Sequence, residues 1–398
     1  MTSADQPPLE FETVAKLDAH LREGRPLTAC VFQGLDLRLH TAALTAGRLT
    51  GSAFLGCLLE PAAITHALAD KALVVPRPEG IPFDPFRGSL CSVEEDLYAG
   101  YVVGQPGGYA ATRDGRIYAH FCASGRSNPP SILESLYRRL HDHGMSDALE
   151  ETLAGHRVVA IMGGHRLARD ADEYRAVALL GRALARAGIV VVTGGGPGAM
   201  EAAHLGAWHA GRRDEDLDTA IAILSHAPLH TPIEPWLDTA IAILSHAPLH
   251  TPIEPWLDTA LEVRRRFDGG RPGLSIGVPT WHYGHEPSNV FPTAIAKYFA
   301  NSEREDGLLT LATHGVVFAP GSAGTIQEIF QDAAQNHYRV GGFASPMIFL
   351  GTRYWQHTKP VYPLLQQLAA GEPYRDLLCI TDSVADTVDR LKAFKPPA

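Results

Sequence analysis

Two glycine-rich loops carry the residue types best suited to chemistry. The first, Thr193-Gly194-Gly195-Gly196-Pro197-Gly198-Ala199-Met200, follows the apolar run IVVV and precedes a helical pattern, MEAAHLGAWHAG, over 200–211. Glycine lets a backbone approach a ligand closely, and the free N–H groups at a helix start suit an anion. The second, Pro320-Gly321-Ser322-Ala323-Gly324-Thr325-Ile326-Gln327-Glu328, follows GVVFA and runs into IQEIFQDAAQNHY over 326–338. It adds the hydroxyls of Ser322 and Thr325 to the same kind of helix start, a combination that fits a phosphate. Loops of this composition also serve as plain strand-to-helix turns. Glu328 falls one turn into the second helix. Beside a phosphate site a carboxylate handles a cationic or hydroxylic part of a ligand, or it is an ordinary first-turn acid favoured by the helix dipole.

Other nucleotide and metal chemistries fit less well. Gly196-Pro197-Gly198 lacks the third glycine of a dinucleotide fingerprint, because Glu201 stands there, and Asp214 to Asp216 do not end an apolar strand. NAD-dependent redox chemistry is therefore disfavoured, and the absence of GxxxxGK[ST] argues against a P-loop enzyme. His226 with His230, and His246 with His250, have metal-ligand spacing, but Pro228 and Pro248 interrupt the shared helical face. His282-Tyr283-Gly284-His285-Glu286 is not an HExxH helix. The five cysteines are odd in number and form no CxxC pair, so they read as free thiols in the interior. No metal and no cofactor is expected.

The elements that must position these loops form an α/β rhythm. Apolar runs at 157–163, 189–195, 274–280, 315–320, 347–351 and 377–381 read as strands, and 172–188 carries apolar residues at helical spacing between them. The expected fold is α/β: a Rossmann-like doubly wound parallel sheet over 151–398, with a smaller N-terminal α+β domain over 1–150. In that domain Phe32-Gln-Gly34 to Leu37 and Phe54-Leu-Gly56 to Leu59 repeat Phe-x-Gly-x-x-Leu, which fits two stacked β turns, but two copies are too few for a solenoid and chance or a simple hairpin is the preferred reading. LDTAIAILSHAPLHTPIEPW occurs at 217–236 and again without change at 237–256, followed by a third LDTA at 257–260. Functional repeats diverge and need three or more units, so this reads as a recent duplication of a surface insert.

The 398 residues are 45% hydrophobic and 20% charged, with a formal net charge of −10. That balance speaks against nucleic-acid or anionic-membrane binding. MTSADQPPLE lacks the pattern of a signal peptide, and no apolar run has the length of a membrane span, so a cytoplasmic protein is expected.

GGGPGAMEAA (194–203) and PGSAGTIQE (320–328) resemble the paired signatures GGGxxGxM and PGGxGTxxE of the LOG ("Lonely Guy") family of nucleoside 5'-monophosphate phosphoribohydrolases. Within it the chain looks most similar to the bacterial pyrimidine/purine nucleotide 5'-monophosphate nucleosidases. GGHRLARDADEY (163–174) resembles their GGH…NEY stretch, and Glu286-Pro287-Ser288-Asn289 with Ser302-Glu303-Arg304 resembles the segment leading to their arginine. The resemblance covers roughly residues 155 to 395. It implies hydrolysis of an N-glycosidic bond to a free base and ribose 5-phosphate, and a homodimer or higher homo-oligomer. Carried over, Glu328 and Arg304 match the catalytic pair. Gly321, Ser322, Gly324 and Thr325 match the phosphate cradle, and Gly194, Gly195, Gly196, Gly198 and Met200 the nucleotide-contacting loop. His165, Tyr174 and Asn289 either line the base or ribose or are structural.

The chain departs from the family pattern in three places. Ser322 replaces the second glycine of PGG, which strains the loop or adds a hydroxyl. Gln327 stands where many members have a first glutamate. Arg304 is in register when counted from Glu286-Pro287, whereas counting back from Pro320 lands on Glu305. The rival expectation is a nucleotide-sensing protein that binds without turnover.

Overall fold

In the computed structural model the described residues are 8–229, 253–283 and 287–397. They form two compact units, residues 1–89 with 129–148, and 90–128 with 149–398.

The first unit is built on a four-stranded sheet of β1 (Leu9–Phe11), β2 (Cys30–Gln33), β3 (Ala53–Leu55) and β4 (Leu73–Val75), in that order and parallel throughout. Short helices at Val14–Arg22, Thr41–Ala46 and Pro61–Ala69 return the chain between strands. The two Phe-x-Gly-x-x-Leu segments are therefore successive parallel rungs and not a hairpin. Phe32 pairs with Phe54 in register, and their rings stack 4.6 Å apart with only 2° between planes. Phe11 stacks on the other side of Phe32 at 5.2 Å. Identical ring positions on consecutive rungs bury each other, which is why the motif recurs at one rung's spacing.

The second unit carries a seven-stranded parallel sheet in the order β11-β10-β9-β5-β6-β7-β8. Its strands are β5 (Val158–Met162), β6 (Val190–Thr193), β7 (Ser275–Gly277), β8 (Ala294–Ile295), β9 (Val316–Phe318), β10 (Met347–Leu350) and β11 (Leu378–Thr381). All five residues of β5 are buried, as a strand covered on both faces requires. Chain order runs outward from β5 to β8, then reverses to the other side of β5 with β9. This reversal of a parallel sheet makes the fold doubly wound and opens a crevice at the strand C-termini. Two-residue β8 escapes periodicity because it is too short to show one.

Residues 90–128 belong to this unit and fasten its edge. Asp114 is fully buried and accepts hydrogen bonds from Trp281 Nε1 at 2.9 Å and Tyr109 OH at 2.9 Å, while Lys297 Nζ pairs with it at 2.8 Å. A buried carboxylate is tolerated only when paired and hydrogen-bonded in this way. Among the described residues no helix is long and apolar enough to cross a membrane.

Part of the 20-residue repeat is described. The first copy enters the helix Asp214–Leu224, and the third LDTA the helix Glu254–Arg266. Buried Arg169 donates to Ala227 O at 2.8 Å and to Trp256 O at 3.2 Å, and pairs with Glu201. Both carbonyls sit on one guanidinium, so they lie within about 9 Å of each other, a gap that a few residues bridge. His230, His246 and His250 lie outside the described residues, and His226 is exposed. Deleting residues 233–252 restores a single copy and leaves every described residue in place. Calorimetry is expected to find the Tm of this deletion within about 3 °C of the parent.

Candidate functional site

The loops that leave β5, β6 and β9 meet at the strand C-termini. Gly164, just after β5, donates its N–H to Pro320 O at 3.0 Å, and its carbonyl accepts from Ala199 N at 3.1 Å. Gly198 has φ +68°, and a Cβ there would collide with Gly164 O, so only glycine permits the close crossing. Behind the first loop, Gly195 N donates to Thr193 Oγ1 at 2.9 Å. Thr193 Oγ1 also bonds His204 Nε2 at 2.8 Å, and burial pushes the His204 pKa down to about 3, keeping the ring neutral.

These loops enclose a cleft of about 440 Å³. Gly194, Gly196 and Met200 line it from the β6 side, and Ser322, Gly324 and Thr325 from the β9 side. Arg304, Glu328 and His165 also reach it. Gly195, Gly198 and Gly321 stand behind the lining, where they shape the backbone. Buried Asn289 is likewise behind the lining: its Nδ2 donates to Gly196 O at 2.9 Å, and its N–H to Gly195 O. It braces the loop.

The β9 loop begins the helix Ala323–Tyr338, whose first N–H groups face the cleft end of the sheet. A Cβ on Gly321 would overlap the Thr325 hydroxyl, whereas one on Gly324 would meet nothing within 4 Å. Ser322 has φ −112°, an ordinary value for any residue, so the serine is accommodated without the strain considered for it. Tyr354 OH donates to Gly321 O at 2.6 Å and pins the loop from outside.

Arg304, on the helix Asn301–Leu311, is 8% exposed. Its Nε and Nη2 donate to Asn301 Oδ1 at 3.3 and 3.1 Å, and Nη2 also pairs with Glu305 at 2.9 Å. Glu305 lines the cleft too, and its other oxygen accepts from Gln327 Nε2 at 3.1 Å. The two register counts thus point at neighbouring residues of one wall. Tyr283 also lines the cleft, and its OH accepts from Asn301 Nδ2 at 3.2 Å. Burial, with the Arg166 charge adding to it, pushes the His165 pKa below the usual histidine range. The cleft therefore offers helix N-termini for an anion, one guanidinium and two carboxylates.

Several motif residues lie elsewhere. Tyr174 is fully buried, with its OH on Glu201 Oε2 at 3.0 Å, so both belong to the Arg169 network and not to the cleft. His282 is exposed, with Nδ1 on Ser127 Oγ, and residues 284–286 lie outside the described residues. Arg264, on the helix Glu254–Arg266, does not line the cleft: it stacks 4.3 Å from the Trp208 ring centroid and pairs with Glu94. Sequence reasoning missed Glu305, Thr280 and Tyr283 in the lining. Only the count back from Pro320 pointed at the first.

Residues 156–213 match the model of the SLOG cluster4 family. No curated protein sequence is detectably similar to the chain. Among solved structures it is similar to the molybdenum cofactor binding protein from the phototrophic bacterium Rippkaea orientalis, at 16% identity over 60% of this chain and 98% of that one, with a TM-score of 0.34. It is similar also to the molybdenum cofactor carrier protein of Chlamydomonas reinhardtii, at 16% identity over 60% of this chain and 96% of that one, TM-score 0.34.

One turn beyond Glu328, buried Asp332 has an Oδ2 with no partner, and burial pushes its pKa from 3.8 up to about 8. The folded state holds this proton more tightly than the unfolded chain does. Its contribution to stability is complete below about pH 4 and is lost as pH rises through about 8. Asp332→Asn is expected to raise Tm at pH 8.5 by several degrees and to change it little at pH 5, measured by thermal melts across that range.

Proposed function

We propose that the cleft binds a nucleoside 5'-monophosphate and hydrolyses its N-glycosidic bond, in the manner that the LOG-type motifs imply. The observation that carries this reading is the meeting of Glu328 and Arg304 with both glycine loops in one cleft. In it the 5'-phosphate rests on the N–H groups that open the helix Ala323–Tyr338, with the Thr325 hydroxyl beside them. As the bond from C1' to the base nitrogen breaks, positive charge develops on the ribose. The Glu328 carboxylate stabilises that charge and orients a water for attack at C1'. The base departs with the bonding electron pair and takes up a proton, and Arg304 supports its developing negative charge. The products are the free base and ribose 5-phosphate, with water as the only co-reactant. Assembly into a homodimer or higher oligomer, and an accessory role for residues 1–150, belong to the same proposal. A second reading, nucleotide binding without turnover, draws on the Arg304–Glu305 ion pair, which already engages the guanidinium.

The direct test incubates the protein with AMP, GMP, IMP, CMP and UMP, without added metal, and follows free base and ribose 5-phosphate by chromatography. Release from any of them supports hydrolysis, and tight binding with no release selects the second reading. Glu328→Gln is expected to lower turnover by about a hundredfold or more, with nucleotide affinity within about threefold of the parent. The phosphate cradle has its own test in ribose 5-phosphate binding by calorimetry. Gly321→Ala, which forces Thr325 aside, is expected to weaken binding about tenfold or more.

A further inference from the structure

We infer that Glu305 is a specificity-determining residue: by pairing with Arg304 it sends the anionic end of a ligand to the loop Gly321–Thr325 and keeps the guanidinium for the neutral, hydrogen-bonding end. The inference rests on the phosphorylated-ligand reading above and adds a residue that the motifs do not assign.

Three observations support it. First, the guanidinium is already engaged along one edge. Asn301 Oδ1 takes Nε and Nη2, and Glu305 Oε1 takes Nη2 again. A phosphate gripped by arginine uses two parallel N–H groups, and that edge of the fork is spent. Nη1 is directed at the glycine loop, where a Cβ on Gly194 would stand 3.2 Å from it. Second, the charges lining the cleft are Arg304 against Glu305 and Glu328, while burial favours the neutral form of His165. Glu305 offsets the Arg304 charge, so a dianion gains little there and meets favourable charge at the helix N-termini. Third, Glu305 cannot swing away from Arg304 without losing its second partner, Gln327 Nε2, whose helix also carries Glu328. The pair is thus tied to the element that bears the phosphate loop.

A mere strut between two helices would behave differently when its charge is removed. Glu305→Gln keeps the shape and can accept from Arg304 while donating to a turned-over Gln327 amide, yet frees the Arg304 charge. Calorimetric titration with ribose 5-phosphate and with AMP is expected to show this variant binding about threefold to tenfold tighter than the parent at ~20 mM NaCl. The gain should shrink by about half or more at ~500 mM NaCl. Adenosine, which has no phosphate, should bind no more tightly than to the parent, and Glu305→Asp, which retains the charge, should stay within about twofold for every ligand. Unchanged or weaker phosphate binding by Glu305→Gln, or an equal gain for adenosine, overturns the inference while the phosphorylated-ligand reading stands. Failure of the parent to bind either phosphorylated compound overturns both.

Discussion

Two backbone hydrogen bonds on Gly164 hold the cleft in shape. One reaches Pro320 in the loop after β9, the other Ala199 in the loop after β6. Because β5 lies between those strands, the two loops start about 10 Å apart, twice the strand spacing, and face each other across it. That separation is a consequence of sheet topology, and the Gly164 bonds stop either loop from drifting along it. Met200 and Thr325 depend on this frame, since they project from the helices that the two loops begin.

A second frame supports the part of the lining that carries Thr280 and Tyr283. Asp114, from a segment far away in sequence, fixes Trp281 and Lys297, and Thr280 bridges to Tyr298. From this wall Tyr283 engages Asn301, and Asn301 engages Arg304. The guanidinium is therefore oriented through Asn301 by Tyr283, which stands two residues after the Trp281 that Asp114 holds. Such a chain positions a side chain more tightly than packing alone, because each donor has one acceptor to satisfy.

How much of this was legible in the sequence depends on range. The strands at 157–163, 189–195, 274–280, 315–320 and 347–351 are legible because buried parallel strands read as unbroken apolar runs, and the half-buried edge strand Leu378–Thr381 keeps a run of the same kind. Both glycine loops were visible for the same local reason, and so was Glu328 at a fixed offset from the second, whereas Arg304 came from the count forward from Glu286-Pro287 and the count back from Pro320 gave Glu305. Asp114 was not, because nothing near it in sequence reveals that Lys297 and Trp281 will surround it. Tyr174 and Glu201 sat inside readable motifs yet face Arg169, since helical spacing gives a residue's face but not what lies opposite. The Phe-x-Gly-x-x-Leu pair was seen as a repeat, but two copies cannot tell a hairpin from parallel rungs: the other two rungs, at Leu9–Phe11 and Leu73–Val75, lack the motif.

That run of rungs has a mechanical consequence for the N-terminal unit. Phe11, Phe32, Phe54 and Val74 form one column, each in register with the next strand's residue only. Coupling along such a column passes between nearest neighbours, so disorder is an advancing front that enters at β1 or β4 and not at the centre. Phe32 has a ring on either side. It is the link through which the two halves of the unit sense each other, and the place where a front from either end is slowest to pass.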